Sequence, residues 1–157
     1  MIVYAVEQLS QWRPDAEPML PKHYEELATY KDVPLDPEWP HYERGEANGV
    51  LRIYTARDDG ALVGYALFVF IWKHPHYRTI SLASNDILWV KPDSRGAGIA
   101  SGLADFFEKD IQNLFLRFAL SGRGIVHIRA KTKHAALSKM LEARGYQSDE
   151  RGHTILV

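Results

Sequence analysis

The amino-acid sequence predicts an α/β (α+β) fold, a mixed and mostly antiparallel sheet with helices on both faces. Three observations lead there. Residues 50–90 hold three strand-like runs separated by short turns, residues 99–118 switch to a helical period, and a strand, a helix and further strands follow. The expected order is β, short helices, β, β, β, long helix, β, helix, β, β, in one domain over residues 1–157.

Ile2-Val3-Tyr4-Ala5-Val6 reads as the first strand. Pro14, Pro18, Pro21, Pro34, Pro37 and Pro40 then leave room only for short helices, expected at residues 18–30 and 39–47. Residues 50–57 and 61–72 alternate as strands, and Asp58-Asp59-Gly60 between them is a hairpin signal. A loop rich in His and Pro covers residues 73–78, and residues 80–90 form the third strand of an antiparallel meander. Ile99, Leu103, Phe106, Phe107, Ile111, Leu114, Phe115 and Phe118 recur at spacings of three and four, the stripe of one amphipathic helix that Gly122 and Gly124 end. Residues 125–130 read as a short buried strand, parallel to its sheet neighbour because a right-handed crossover helix precedes it. Residues 135–144 form a second helix stopped at Gly145, with the two helices on either side of the sheet. Residues 146–148 and 153–157 are expected to close the chain as a hairpin around Arg151-Gly152.

Composition narrows the function. With 157 residues, 46% of them hydrophobic and 25% charged, the chain buries a core without metal or disulfide support. The absence of cysteine excludes disulfides, thiolate metal sites and a cysteine nucleophile, and it suits a reducing, cytoplasmic compartment. No secretory n-region or h-region precedes the first strand and no apolar run is long enough for a membrane span, so no membrane partner is expected. A formal net charge of -1 gives no field to attract phosphate backbones, so nucleic acid is not an expected partner either.

The chemistry concentrates where the third meander strand ends and the long helix begins, in Val90-Lys91-Pro92-Asp93-Ser94-Arg95-Gly96-Ala97-Gly98-Ile99-Ala100-Ser101-Gly102-Leu103. A helix N-terminus offers unpaired N–H groups and partial positive charge, and it holds a pyrophosphate when no side chain blocks the approach. Gly96, Ala97, Gly98 and Ala100 keep that approach clear, while Arg95 brings a fork of donors suited to phosphate oxygens. Glycines needed for turn geometry alone would give the same pattern. The segment lacks the Gly-Lys-Ser/Thr of a P-loop and the spacing of the dinucleotide fingerprint.

Val90-x-Pro92-x-x-Arg95-Gly96-x-Gly98-Ile99-Ala100-x-x-Leu103 resembles the signature of the GNAT superfamily of N-acyltransferases, and the element order is similar to that fold from about Val50 onward. The His76-Tyr77-Arg78 loop is similar to one in phage-borne examples. The resemblance implies an acetyl-CoA-dependent N-acetyltransferase without a metal. It implies that CoA phosphates sit on the N–H groups of Arg95, Gly96, Ala97, Gly98, Ile99, Ala100 and Ser101, and that pantetheine pairs with the backbone of Leu88, Trp89 and Val90. Strands 4 and 5 must then splay, which a bulge near Asn85-Asp86 would accomplish. His134, near the start of the last helix, takes the place of an asparagine common in the family and is a further cofactor candidate.

Acetyl transfer needs a base for the protonated amine and a donor for the oxyanion, the latter expected from a backbone N–H of strand 4. Asp86, an acid in an otherwise apolar strand, is the first catalytic candidate, because burial there would raise its pKa. His127 on strand 5 is the second. A carboxylate satisfied by Arg78 and a hydrogen-bonded core histidine are the respective structural alternatives. Where many relatives carry a tyrosine acid the sequence has Leu141, and Tyr146 occupies the site of a core aromatic. The expected partner is a small-molecule or peptide amine, with a second copy of the chain in a homodimer. A non-catalytic acyl-CoA-binding module and acylation of an RNA-linked or nucleobase amine are the alternatives carried forward.

Overall fold

In the computed structural model, which describes residues 1–28, 30–129 and 135–148, five strands form one sheet in the order β1-β2-β3-β4-β5. They are β1 (Ile2–Glu7), β2 (Leu51–Asp58), β3 (Ala61–Ile71), β4 (Ser81–Val90) and β5 (Gly124–His127). The first four pair antiparallel and β5 joins β4 in parallel, as the crossover rule requires. Asp59 and Gly60 both take positive φ, 45° and 87°, in the β2–β3 turn, which is the geometry an Asp-Gly hairpin uses.

The first third is more helical than its prolines suggest. Helices α1 (Leu9–Ala16) and α2 (Leu20–Leu27) are joined by a single 3-10 turn, and α3 (Trp39–Ala47) follows. Pro18, Pro21 and Pro40 stand in first turns, where the missing N–H has no intrahelical partner to lose. Pro14 is the exception, lying inside α1, a helix held down by the buried Leu9, Trp12 and Ala16.

Alternation along the strands separates two cores. Ile53, Tyr65, Leu67 and Trp89 face α1 to α3, whereas Tyr54, Phe68, Phe70 and Ala83 face the long helix α4 (Ile99–Phe118) through Leu103, Phe107, Ile111 and Phe115. Helices therefore cover both faces, but α5 (Ala135–Ala143) is not opposite α4 as expected. Met140 packs against the α4 core, and Arg144 forks onto Glu108 of α4 at 2.6 and 2.9 Å. Gly145, at φ 88°, ends α5 with the paired bonds of a Schellman cap: its own N–H to Glu142 and that of Tyr146 to Leu141. The hairpin expected at residues 153–157 lies outside the described residues. Among the described residues, no helix is long and apolar enough to cross a membrane.

Candidate active site

The β4–β5 pair closes at one end and opens at the other. Pairing runs from Ser81 opposite Gly124 to Ser84 opposite His127 and stops, while β4 continues against β3 as far as Val90 opposite Gly64. Among the described residues, the β5-side edge of β4 from Asn85 to Val90 thus has no strand beside it. A side chain sets this divergence: the buried Asn85 accepts the N–H of Arg129 at 2.7 Å through its Oδ1, drawing the chain after β5 onto a side chain instead of the β4 backbone.

The expected bulge is present one residue further on. Leu67 pairs with Ile87 and Phe68 with Asn85, leaving Asp86 as the extra residue. The insertion restarts the alternation, so Asn85 shares the α4 face with Ala83 while Asp86 turns toward α3. There it accepts the hydroxyl of Tyr42 at 3.1 Å. Asp86 is exposed, not buried, which corrects the expectation that an apolar strand would enclose it. Its partner is Tyr42, and not Arg78 as the structural alternative supposed. Burial, aided by the Asp86 charge and this hydrogen bond, pushes the Tyr42 phenol up to about 12, so it remains a donor at neutral pH.

The open edge runs into the glycine loop. Gly98 is the N-cap of α4 at φ 76° and Gly96 stands at φ 83°, conformations costly for any other residue. A Cβ built at either meets nothing within 4 Å, so the space above them is open. The first closed turn is the Gly102 N–H to the Gly98 carbonyl at 2.9 Å, which leaves the N–H groups of Ile99, Ala100 and Ser101 ahead of the helix's own ladder. Among the described residues, no side chain caps that end, and no acid occupies its first turn. Gly102 is glycine for another reason: a side chain there would overlap the ring and hydroxyl of Tyr4.

One cleft of about 1320 Å³ gathers Asp86, Leu88, Trp89, Val90, Arg95, Gly96, Gly98, Ile99, Ala100, Ser101 and His127 on its walls. Ala97 is exposed in the same loop but is not part of the wall, and His134 lies outside the described residues. His127 is half-buried at the last paired position of β5. Arg95 does not extend freely toward the loop. Its Nε donates to the Val90 carbonyl at 2.9 Å and its Nη2 to Glu26 of α2 at 2.7 Å, so two of its five N–H donors are already engaged. The same Glu26 oxygen accepts Trp89 Nε1 at 3.0 Å, and His23, stacked on Trp89, is 2.9 Å from the Tyr65 hydroxyl through Nδ1. Residue typing did not point to Glu26 and His23, which line the cleft, or to Tyr42, which meets it through Asp86, because their partners lie 42 to 69 positions away.

Leu141 is buried on the cleft wall and offers no proton. Tyr146 also lines the cleft, but its hydroxyl bonds to Glu108, and burial first, then that carboxylate, raises its pKa. Its proton is therefore strongly held and directed at Glu108.

A meander that opens at a bulge, with an uncapped helix N-terminus at the end of the open edge, is the architecture of acyl-CoA-dependent acyltransferases. The sequence agrees: the model of the acetyltransferase (GNAT) family matches residues 7–120, and the chain belongs to that family. Its fold is similar to a ribosomal-protein-alanine N-acetyltransferase from Brucella melitensis biovar Abortus 2308, at 20% identity and a TM-score of 0.71 over 100% of this chain and 99% of that one. It is similar to a predicted acetyltransferase from Clostridium acetobutylicum solved with acetyl-CoA, at 14% identity and a TM-score of 0.71 over 99% and 96%. It is also similar to an aminoglycoside acetyltransferase from an uncultured soil metagenomic sample in complex with sisomicin, at 12% identity and a TM-score of 0.74 over 99% and 95%. No protein of curated function matches the chain. The narrower likeness to phage-borne members gains no support from these matches.

Proposed function

We propose that the protein is an N-acetyltransferase that moves an acetyl group from acetyl-CoA to a primary amine of a small molecule or peptide. The observation that carries this reading is the continuity of the cleft: the unpaired edge of β4 from Asn85 to Val90 leads from the turned-out carboxylate of Asp86 to the uncapped start of α4. The pyrophosphate is taken by the N–H groups at Gly96 to Ser101, where glycine leaves the approach open. Pantetheine runs along Leu88, Trp89 and Val90 as an added strand, and a backbone N–H beside the bulge receives the oxyanion.

Asp86 takes a proton from the arriving ammonium, and Tyr42 orients the carboxylate through its hydrogen bond to Oδ2. His127, across the opening on β5, is the alternative base. A thiolate with a pKa of roughly 8.5 leaves without an obligatory acid, which suits a site where Leu141 holds the usual acid position. Leu141 is also the observation that favours the competing reading, an acyl-CoA-binding module without turnover. Titration with acetyl-CoA, followed by detection of free thiol across a panel of amines, tests both. Binding with thiol release supports the enzyme, binding without release from any amine supports the module, and no binding removes both.

A further inference from the structure

Asp86 lines a second cavity of about 380 Å³ as well as the cofactor cleft, and among the described residues it is the only one on both walls. Glu38 and Tyr42 of α3 form one side of it, and Val50, Leu51 and Val69 supply an apolar surface. Among the described residues, the wall holds two carboxylates and His41 but no lysine or arginine. Glu38 is paired with Arg44 at 3.3 Å on the exposed side of α3. Tyr42 donates to Asp86 Oδ2, which leaves Oδ1 to accept a proton donor approaching from the cavity.

We propose that this cavity is the acceptor subsite, and that it takes a small primary amine on an alkyl or arylalkyl carrier that bears no carboxylate. The inference rests on the reading of Asp86 as the base and extends it to the class of substrate. The charge of the wall selects a cation, and the Tyr42 ring adds a face that attracts one. An amino acid would bring its own carboxylate toward Glu38 and Asp86, with His41 on the wall but no lysine or arginine among the described residues there to meet it. Val50, Leu51 and Val69 suit hydrocarbon, and the volume stands near the lower end of small-molecule sites, which span about 300–1,000 Å³. It holds one ring or a short chain, and the linked rings of an aminoglycoside would extend beyond its walls.

The reaction balances within this geometry. The ammonium gives one proton to Asp86, and its nitrogen lone pair forms the C–N bond as the C–S bond breaks. The second proton goes to the departing CoA thiolate, and Asp86 returns its proton to solvent.

The test uses the full chain, acetyl-CoA, and four amines: phenethylamine, hexylamine, phenylalanine and kanamycin. The expected kcat/KM for phenethylamine and hexylamine is at least about tenfold above that for phenylalanine or kanamycin, the discrimination of a differential near 1.4 kcal/mol. Val69→Trp fills the cavity from an exposed position on β3, outside the buried cores. It should lower kcat/KM for phenethylamine by at least that factor while calorimetry shows unchanged acetyl-CoA affinity. Equal turnover of phenylalanine or kanamycin, or a Val69→Trp enzyme as active as wild type, overturns the inference and leaves the acetyltransferase reading in place. Should acetyl-CoA bind without any turnover, phenethylamine is titrated into the CoA complex, and an absence of heat overturns the subsite. Failure of acetyl-CoA to bind removes the underlying reading instead.

Discussion

Replacing Gly98 by glutamate separates anion binding from folding, because the chain contains a matched control. Gly98 and Gly60 both hold positive φ, 76° and 87°, and a Cβ at either meets nothing within 4 Å. Each substitution therefore strains the backbone and little else. A left-handed φ costs an L-residue roughly 1–2 kcal/mol, which lowers Tm by about 2–8 °C in a domain of this size. The two positions differ in what they face, since Gly98 lies on the cleft wall and Gly60 in the β2–β3 hairpin. At Gly98 the new carboxylate stands where a pyrophosphate would meet the N–H groups of Ile99 and Ala100. Loss of two charge-assisted bonds at about 1.5 kcal/mol each removes roughly 3 kcal/mol, equivalent to about 150-fold in Kd. Calorimetric titration with acetyl-CoA should therefore show Gly98→Glu weakened by about two orders of magnitude and Gly60→Glu within a factor of about two of wild type. Equal affinities in the two variants would refute the assignment of the phosphate site, since strain is common to both and only location differs.

Asp86→Asn keeps an acceptor for the Tyr42 hydroxyl at an exposed position, so stability should stay within about 0.5 kcal/mol while kcat falls about 10²–10⁴-fold. Single-turnover thiol release checks this, and turnover above a tenth of wild type would remove Asp86 from proton transfer. Tyr42 titrates near 12 in the folded chain against a reference of 10.0. Folding thus favours the protonated phenol, and that stabilisation is complete below pH 10 and lost as pH rises through 12. Urea unfolding of Tyr42→Phe should show a shallower alkaline decline than wild type over that window, and parallel curves would contradict the raised pKa. Gly102→Ala, a change that would gain about 1 kcal/mol in an open helix interior, should destabilise this protein because Tyr4, stacked on Phe106, occupies the space. In a Tyr4→Ala background the same change should become stabilising, and a cycle of thermal melts with no change of sign would disprove the steric account.

Those features of the fold that depend on local pattern were legible in the sequence. The Asp59-Gly60 turn, the meander, the stripe from Ile99 to Phe118 and the parallel β5 follow from alternation, helical period and chain handedness. Helix α1 was not legible, because Pro14 reads as a breaker while the burial of Trp12 that holds the helix down comes from tertiary packing. The position of α5 was missed for a similar reason. Its side of the sheet is marked by Arg144 reaching Glu108, a pair 36 positions apart that no local period announces.

The site divides along the same line. The proposed acyl-donor half would be read by backbone groups, and backbone geometry is written in contiguous residues: two glycines at positive φ, a proline turn, and an acid interrupting a strand where the register slips. The proposed acceptor half would be read by side chains on and around α3, across the other face of the sheet, while α2 supplies side chains to the cofactor cleft. Tyr42 meets Asp86 at a separation of 44 residues and Glu26 meets Arg95 at 69. This division has a physical basis. A pyrophosphate asks only for unobstructed N–H groups, which many sequences provide in one compact motif, whereas recognition of a particular amine requires charge, hydrocarbon and volume matched from separate elements. The first 50 residues hold most of that second set, and they are where substitution should alter the acceptor without disturbing the glycine loop proposed for the donor.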